Sequence, residues 1–186
     1  MDVDKKKNMS YVLNKINKKS LELLNENWLE QAESIEDNTD SLLMDVEVVI
    51  TWCEKNLNNQ GDASCFWALY EDGNATPRAI VEMTDARRSR DQSFKLLNIH
   101  FEPNLVLDYK EDITREELIE SVRIAGTAIV ESLKATLQHD ARMLKIFART
   151  SQMISLFDSI ITNGEFSKNG FKLYRQGKWL IIEPTA

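Results

Sequence analysis

Residues 65–103 read CFWALYEDGNATPRAIVEMTDARRSRDQSFKLLNIHFEP. Cys65, Trp67 and Leu69 alternate with Phe66, Ala68 and Tyr70. Both sets are apolar or aromatic, so a strand here is covered on both faces. Glu71, Asp72, Gly73 and Asn74 make a turn. Residues 78–84 form the returning strand, 85–93 a polar loop, and a third strand over 94–102 stops at Pro103. The result is an antiparallel meander.

Downstream, Thr114 and Glu117 have the spacing of a capping box, which predicts a long helix with Leu118, Val122, Ala125, Ile129 and Leu133 on its buried side. Residues 142–149 form a fourth strand. Thr150 or Ser151 then caps a helix bearing Met153, Leu156, Phe157 and Ile160, which Asn163 and Gly164 end. Residues 171–175 and 178–183 flank Gln176 and Gly177 as a closing hairpin, with Phe171, Leu173, Leu180 and Ile182 on one side and Tyr174 opposite Trp179 on the other. Upstream, Leu13, Ile16, Leu24 and Trp28 predict an amphipathic first helix over 11–32. Asn38, Thr39 and Asp40 are candidate caps for a second helix, whose stripe is Leu42, Val46, Val49, Ile50, Cys53 and Leu57 and whose stop falls near 58–61.

The chain has 186 residues, a size that suits one domain over 1–186, with a helical segment over 9–60 and a sheet-and-helix core over 64–186. Acids outnumber bases 30 to 23, a net charge of −7 that argues against broad contact with nucleic acid phosphates. Two cysteines and two histidines cannot build a disulfide framework or a Cys/His zinc site, so no metal is expected. Lys5, Lys6 and Lys7 lead into Asn8, Met9 and Ser10 rather than an apolar stretch, and no apolar run approaches the roughly 18 residues of a membrane span. A soluble, cytoplasmic protein is the expectation. Gly-x-x-x-x-Gly-Lys-Ser/Thr, Gly-x-Ser-x-Gly and His-Glu-x-x-His are all absent, which leaves phosphate-loop hydrolases, serine esterases and zinc proteases without support.

Taken in order, residues 67–179 give a strand trio, a long helix, a strand, a helix and a hairpin, a sequence of elements that resembles the GNAT superfamily of N-acyltransferases. Thr150, Met153, Leu156, Phe157 and Ile160 stand in the spacing of its Asn-x-x-Ala-x-x-Leu-Tyr-x-x-apolar helix. Gly170 and Phe171 resemble its Gly-Phe pair, with 162–169 inserted before them. Arg123, Gly126 and Ala128 meet its Gln/Arg-x-x-Gly-x-Gly/Ala motif. The resemblance implies an α/β fold (α+β by layer count) with a mixed, mostly antiparallel sheet flanked by helices. It also implies an acyl-CoA-dependent N-acyltransferase using acetyl-CoA or another acyl-CoA. Asn98, Ile99 and Phe101 would then hold pantetheine through the main chain, and Arg123, Gly126 and Ala128 would receive the pyrophosphate.

Two positions depart from the pattern. A helix beginning at Thr114 has already used the amides around Gly126 in its own hydrogen bonds, unless the chain reopens near Val122. Phe157 stands where many members carry a tyrosine that protonates the departing thiolate, and a phenyl ring has no proton to give. An attacking amine must also lose a proton, which makes Glu82 and His100 the candidate bases, against ordinary roles as a cross-strand ion pair and a hydrogen-bonded strand histidine. Arg87, Arg88 and Arg90 form a positive loop that could grip a phosphate or an acidic partner, or simply be solvated. Cys53 and Cys65 read as buried structural thiols. The competing function is a catalytically inactive GNAT-like protein, an adaptor or inhibitor that binds another protein; a homodimer through a sheet edge or the first helix fits either reading.

Overall fold

The computed structural model describes residues 10–35, 39–58, 64–90, 92–108, 110, 112–164 and 168–185. Lys5, Lys6, Lys7, Asn8, Met9, the cap at Asn38, the helix stop over 59–61 and part of the insertion (165–167) lie outside the described residues.

The elements are β1 (Tyr11–Lys15), α1 (Lys18–Leu23), a π turn (Leu24–Trp28), α2 (Leu29–Ser34), α3 (Thr39–Asn58), β2 (Ser64–Glu71), β3 (Ala79–Ala86), β4 (Ser93–Phe101), a 3-10 turn (Pro103–Leu105), α4 (Arg115–Gln138), β5 (Met143–Phe147), α5 (Ser151–Asn163), β6 (Phe171–Gln176) and β7 (Trp179–Pro184). They build one seven-stranded sheet in the order β1-β2-β3-β4-β5-β7-β6. Every pairing is antiparallel except β4 with β5, which α4 joins as a crossover. This is the mixed, mostly antiparallel, helix-flanked sheet that the sequence predicts.

The meander is where residues 65–103 place it, and the amino-terminal reading needs correction. Residues 11–15 are a strand, not the start of a helix: Leu13 pairs with Leu69 and is buried against the sheet. The helix starts after Asn17, whose Oδ1 accepts from the Ser20 amide at 3.0 Å while Ser20 Oγ accepts from the Asn17 amide at 3.4 Å. Leu13 and Ile16 are three apart, a spacing that a helix explains but that here straddles the end of a strand.

Two apolar layers sandwich the sheet. Phe66, Ala68 and Ile80 face Leu24, Trp28 and the α3 stripe of Leu42, Val46, Val49 and Cys53. The opposite face carries Trp67, Leu69, Val81 and Leu96 beneath α4 and α5. Trp28 anchors the first layer, its indole buried and its Nε1 donating to Pro77 O at 3.0 Å.

α4 is rotated from the predicted orientation. Leu118 and Val122, expected inside, are 50% and 63% exposed. Ser121, Ile124, Ala128, Ser132 and Thr136 take their place against the sheet, alongside the expected Leu133. Small side chains allow close approach, and the buried hydroxyls are satisfied locally: Ser121 Oγ donates to Leu105 O (2.9 Å), Ser132 Oγ to Ala128 O (2.7 Å) and Thr136 Oγ1 to Ser132 O (2.7 Å). Counting apolar residues misses a stripe built this way.

The hairpin also differs by one step. Gln176 pairs with Trp179 and Tyr174 with Ile181, so Tyr174 is not opposite Trp179. The loop is Gly177 and Lys178, with Gly177 at φ 60°, the left-handed first position that a type II′ turn reserves for glycine. The inner face of Leu173, Leu180 and Ile182 is unaffected.

The capping box at Thr114 is formed: Thr114 Oγ1 accepts from the Glu117 amide at 3.2 Å and Glu117 Oε2 accepts from the Thr114 amide at 2.9 Å. Thr114→Ala is expected to lower stability by about 1 kcal/mol in urea denaturation; an unchanged midpoint would mean that α4 does not depend on its cap.

Candidate functional site

Glu82 on β3 and Asn98 on β4 are register partners, and His100 is paired with Ile80. Between Glu82 and Met83 the partner jumps from Asn98 to Leu96, so Leu97 is the extra residue of a β-bulge. Glu82, Asn98 and His100 therefore share the α3 side of the sheet, Asn98 and His100 by alternation along β4 and Glu82 by its register with Asn98. Asn98 Nδ2 lies 3.1 Å from His100 Nε2, and the Trp52 ring of α3 meets the imidazole edge-on at 6.3 Å between centroids.

Arg149, just past β5, completes the group. Its Nε donates to Leu97 O at 3.3 Å and its Nη2 is 3.9 Å from Glu82 Oε2. Burial pushes the Glu82 carboxyl above its ordinary value, opposed by Arg149. Burial, reinforced by the Arg149 charge and opposed by Asp45, lowers His100 to about 4. At neutral pH the cluster thus holds an uncharged imidazole and a carboxylate more basic than usual, beside one guanidinium.

The cluster sits at an opening in the sheet. β5 pairs with β4 only from Ser93 to Leu96. Beyond the bulge, residues 97–101 of β4 have no strand on that side among the described residues. An extended chain with amide groups fits such an edge in the way that an added strand does.

Alternation along β4 put Asn98 and His100 on one face with Glu102, which instead pairs with Arg78; the β3–β4 register adds Glu82 to the first two, and Ile99 and Phe101 lie on the open stretch. Arg149 and Trp52 were missed. Arg149 is remote in sequence and carries no motif, and the only signal for Trp52 was an aromatic residue lying off the apolar stripe of α3.

The expected pyrophosphate grip at Arg123, Gly126 and Ala128 is not formed. α4 runs unbroken from Arg115 to Gln138, which places Gly126 in the helix interior with its amide hydrogen-bonded within the helix. Arg123 donates to Glu120 (3.0 and 2.6 Å) with its guanidinium over the Tyr11 ring, and Ala128 is buried against the sheet. The helix's true start carries Glu116 and Glu117, which repel an anion. The capping box and the Ser121 bond to Leu105 O explain why the chain does not reopen near Val122.

The sequence matches no protein-family model and no curated protein. Solved structures are similar to it. One is the PaiA N-acetyltransferase of Thermoplasma acidophilum in complex with coenzyme A, 19% identical, with 96% of this chain and 100% of that chain covered and a TM-score of 0.42. A probable acetyltransferase from Staphylococcus epidermidis is 17% identical, covering 95% and 100%, with a TM-score of 0.46. A chimera of Vibrio cholerae spermidine N-acetyltransferase SpeG and hSSAT is 10% identical, covering 93% and 92%, with a TM-score of 0.45.

Arg87, Cys53, Cys65 and Phe157 make structural contacts. Arg87 is held by Asp85 (2.6 Å) and by His139 O (2.8 Å), and it lies over the Phe94 ring, so the arginine loop is partly tied down. Cys53 is buried and its thiol pushed up to about 12; Cys65 is raised by burial and accepts from Trp67 Nε1 at 3.0 Å. Phe157 packs into the core. Among the described residues no His/Cys/Asp/Glu group could hold a metal, and no helix is long and apolar enough to cross a membrane.

Proposed function

We propose that the protein is a GNAT-like N-acyltransferase that moves an acyl group from acyl-CoA to an amine. The observation that carries this reading is the parting of β4 from β5 beside Glu82, Asn98, His100 and Arg149. The residues fit the donor in part. The main chain of Asn98, Ile99 and Phe101 is suited to the pantetheine amides, whereas unbroken α4 offers its diphosphate no free amide. An acyl-CoA supplies the acyl group already activated as a thioester. Glu82 accepts the proton that the amine must lose, His100 stays uncharged and presents a ring nitrogen, and Phe157 returns no proton to the sulfur, which leaves as a thiolate.

Calorimetric titration with acetyl-CoA tests this reading: saturable binding supports it and none overturns it. The geometry adds a second expectation. S-acetylpantetheine, which lacks the diphosphate and adenosine, binds within about threefold of acetyl-CoA, because little is lost with a group that has no site. A loss of tenfold or more, about 1.4 kcal/mol, would mean that phosphates are gripped elsewhere.

One observation favours a second reading. Leu118, Ile119 and Val122 stand exposed on adjacent turns of α4, the helix that fills the expected phosphate site. A GNAT-like protein that binds another protein through that face, without acyl-CoA, would yield one stoichiometric partner in a pull-down and no heat with acetyl-CoA.

A further inference from the structure

The unpaired stretch of β4 has a second neighbour. On its α3 side is a cavity of about 260 Å³, and Ile99, His100 and Phe101 contribute both to its lining and to the open edge. Trp28, Leu42, Val46, Val49 and Val106 supply apolar walls. Among the described residues its charged lining is acidic: Asp45 from α3 and Asp108 from the loop after β4, both solvent-exposed. No described lysine or arginine lines it.

This lining selects by charge and by shape. Two carboxylates at the rim of an apolar space favour a cation and repel an anion. Beyond the His100 ring and the main chain of 99–101 the interior is apolar, too few acceptors for a chain of several ammonium groups, so a polyamine would leave charges unpaired inside. The volume lies below the usual range of roughly 300–1,000 Å³ for ligand pockets, too small for a peptide segment or a nucleotide. What remains is one ammonium at the mouth and one apolar body within.

We propose that this cavity is the acceptor site and that it takes a small primary amine carrying a single positive charge on an aromatic or branched aliphatic body. Asp45 and Asp108 hold the ammonium at the rim, close to His100, and the walls take the hydrocarbon. The role as acceptor rests on the acyltransferase reading; the binding does not. In the reaction the amine nitrogen bonds to the acyl carbon as the carbon–sulfur bond breaks. The electron pair of that bond leaves on sulfur. Of the two protons lost by the ammonium, one passes through Glu82 to solvent and one ends on the thiolate.

The test is calorimetry on the whole chain with 2-phenylethylamine as the probe. One-site binding is expected, roughly tenfold tighter than for its neutral analogue 2-phenylethanol, and weakening with added salt. Asp45→Asn and Asp108→Asn together are expected to lower amine affinity roughly tenfold, since each exposed charge pair contributes up to about 1 kcal/mol. Val46→Phe, which fills the cavity, abolishes binding, and acetyl-CoA affinity is unchanged in both the double variant and Val46→Phe. Equal affinity for the alcohol, or amine binding indifferent to both the aspartate pair and Val46→Phe, overturns the proposal. Should the amine bind with this pattern while acetyl-CoA does not bind, the cavity assignment stands and the acyltransferase reading falls. Acetyl-CoA binding without amine binding removes this proposal alone.

Discussion

Arg78→Ala is expected to destabilise the protein by about 3–5 kcal/mol, the cost of leaving a buried carboxylate without its partner. Arg78 precedes β3 and its guanidinium is shared by three carboxylates: Glu71 at 3.5 Å, Glu120 at 2.7 Å, and Glu102, to which it donates directly. The Glu102 side chain is only 4% exposed. Glu120 also accepts from Arg123, so the removal loosens the tie between the meander and the second turn of α4. Burial already raises the Glu102 carboxyl, with Arg78 pulling it back; without the arginine it rises further. A carboxyl raised in the folded state contributes stability below its unfolded value of about 4.3 and loses it as pH climbs through the folded one. The gap between variant and wild type should therefore narrow as pH falls from 7 towards 5. Urea denaturation at both pH values checks this. A loss under 1 kcal/mol at pH 7, or a gap that does not change with pH, would show that Glu102 does not depend on Arg78.

The parts of this protein that could be read from sequence are those fixed by local rules. Alternation from Cys65 to Tyr70 gave a strand covered on both faces, and Thr114 with Glu117 gave a helix start, because neighbours in sequence decide both. Asn98 and His100 fell on one face for the same reason, whereas Glu82 joins them only through the β3–β4 register. β1 was hidden because five residues with one buried leucine carry no period of their own; pairing with β2 makes them a strand. The rotation of α4 was hidden because its buried stripe uses serine and threonine, whose hydroxyls bond within the helix or to Leu105 O. The opening in the sheet depends on where β5 stops pairing with β4, a relation between segments some fifty residues apart that no local pattern encodes. Arg149 becomes part of the site only once that register is known.

The sharpest functional consequence concerns Glu82. If it takes the proton from the amine, Glu82→Gln should lower the rate of thiol release from acetyl-CoA, with 2-phenylethylamine as acceptor, by about 10²–10³. A lost ion pair with Arg149 would not do this, since at 3.9 Å with Arg149 half exposed the pair adds little. The pH profile separates the two roles. Glu82 is active as its carboxylate, and burial raises it, so wild-type rate should fall on acidification with a limb above the ordinary carboxylate range. His100, lowered to about 4, would put its own limb near that value. Arg149→Gln removes the charge that holds Glu82 down and should move the Glu82 limb to higher pH, whereas Glu82→Gln should erase it. A limb left in place by both substitutions, or a Glu82→Gln rate within a few-fold of wild type, would assign the proton to another group and leave Glu82 as a structural partner of Arg149.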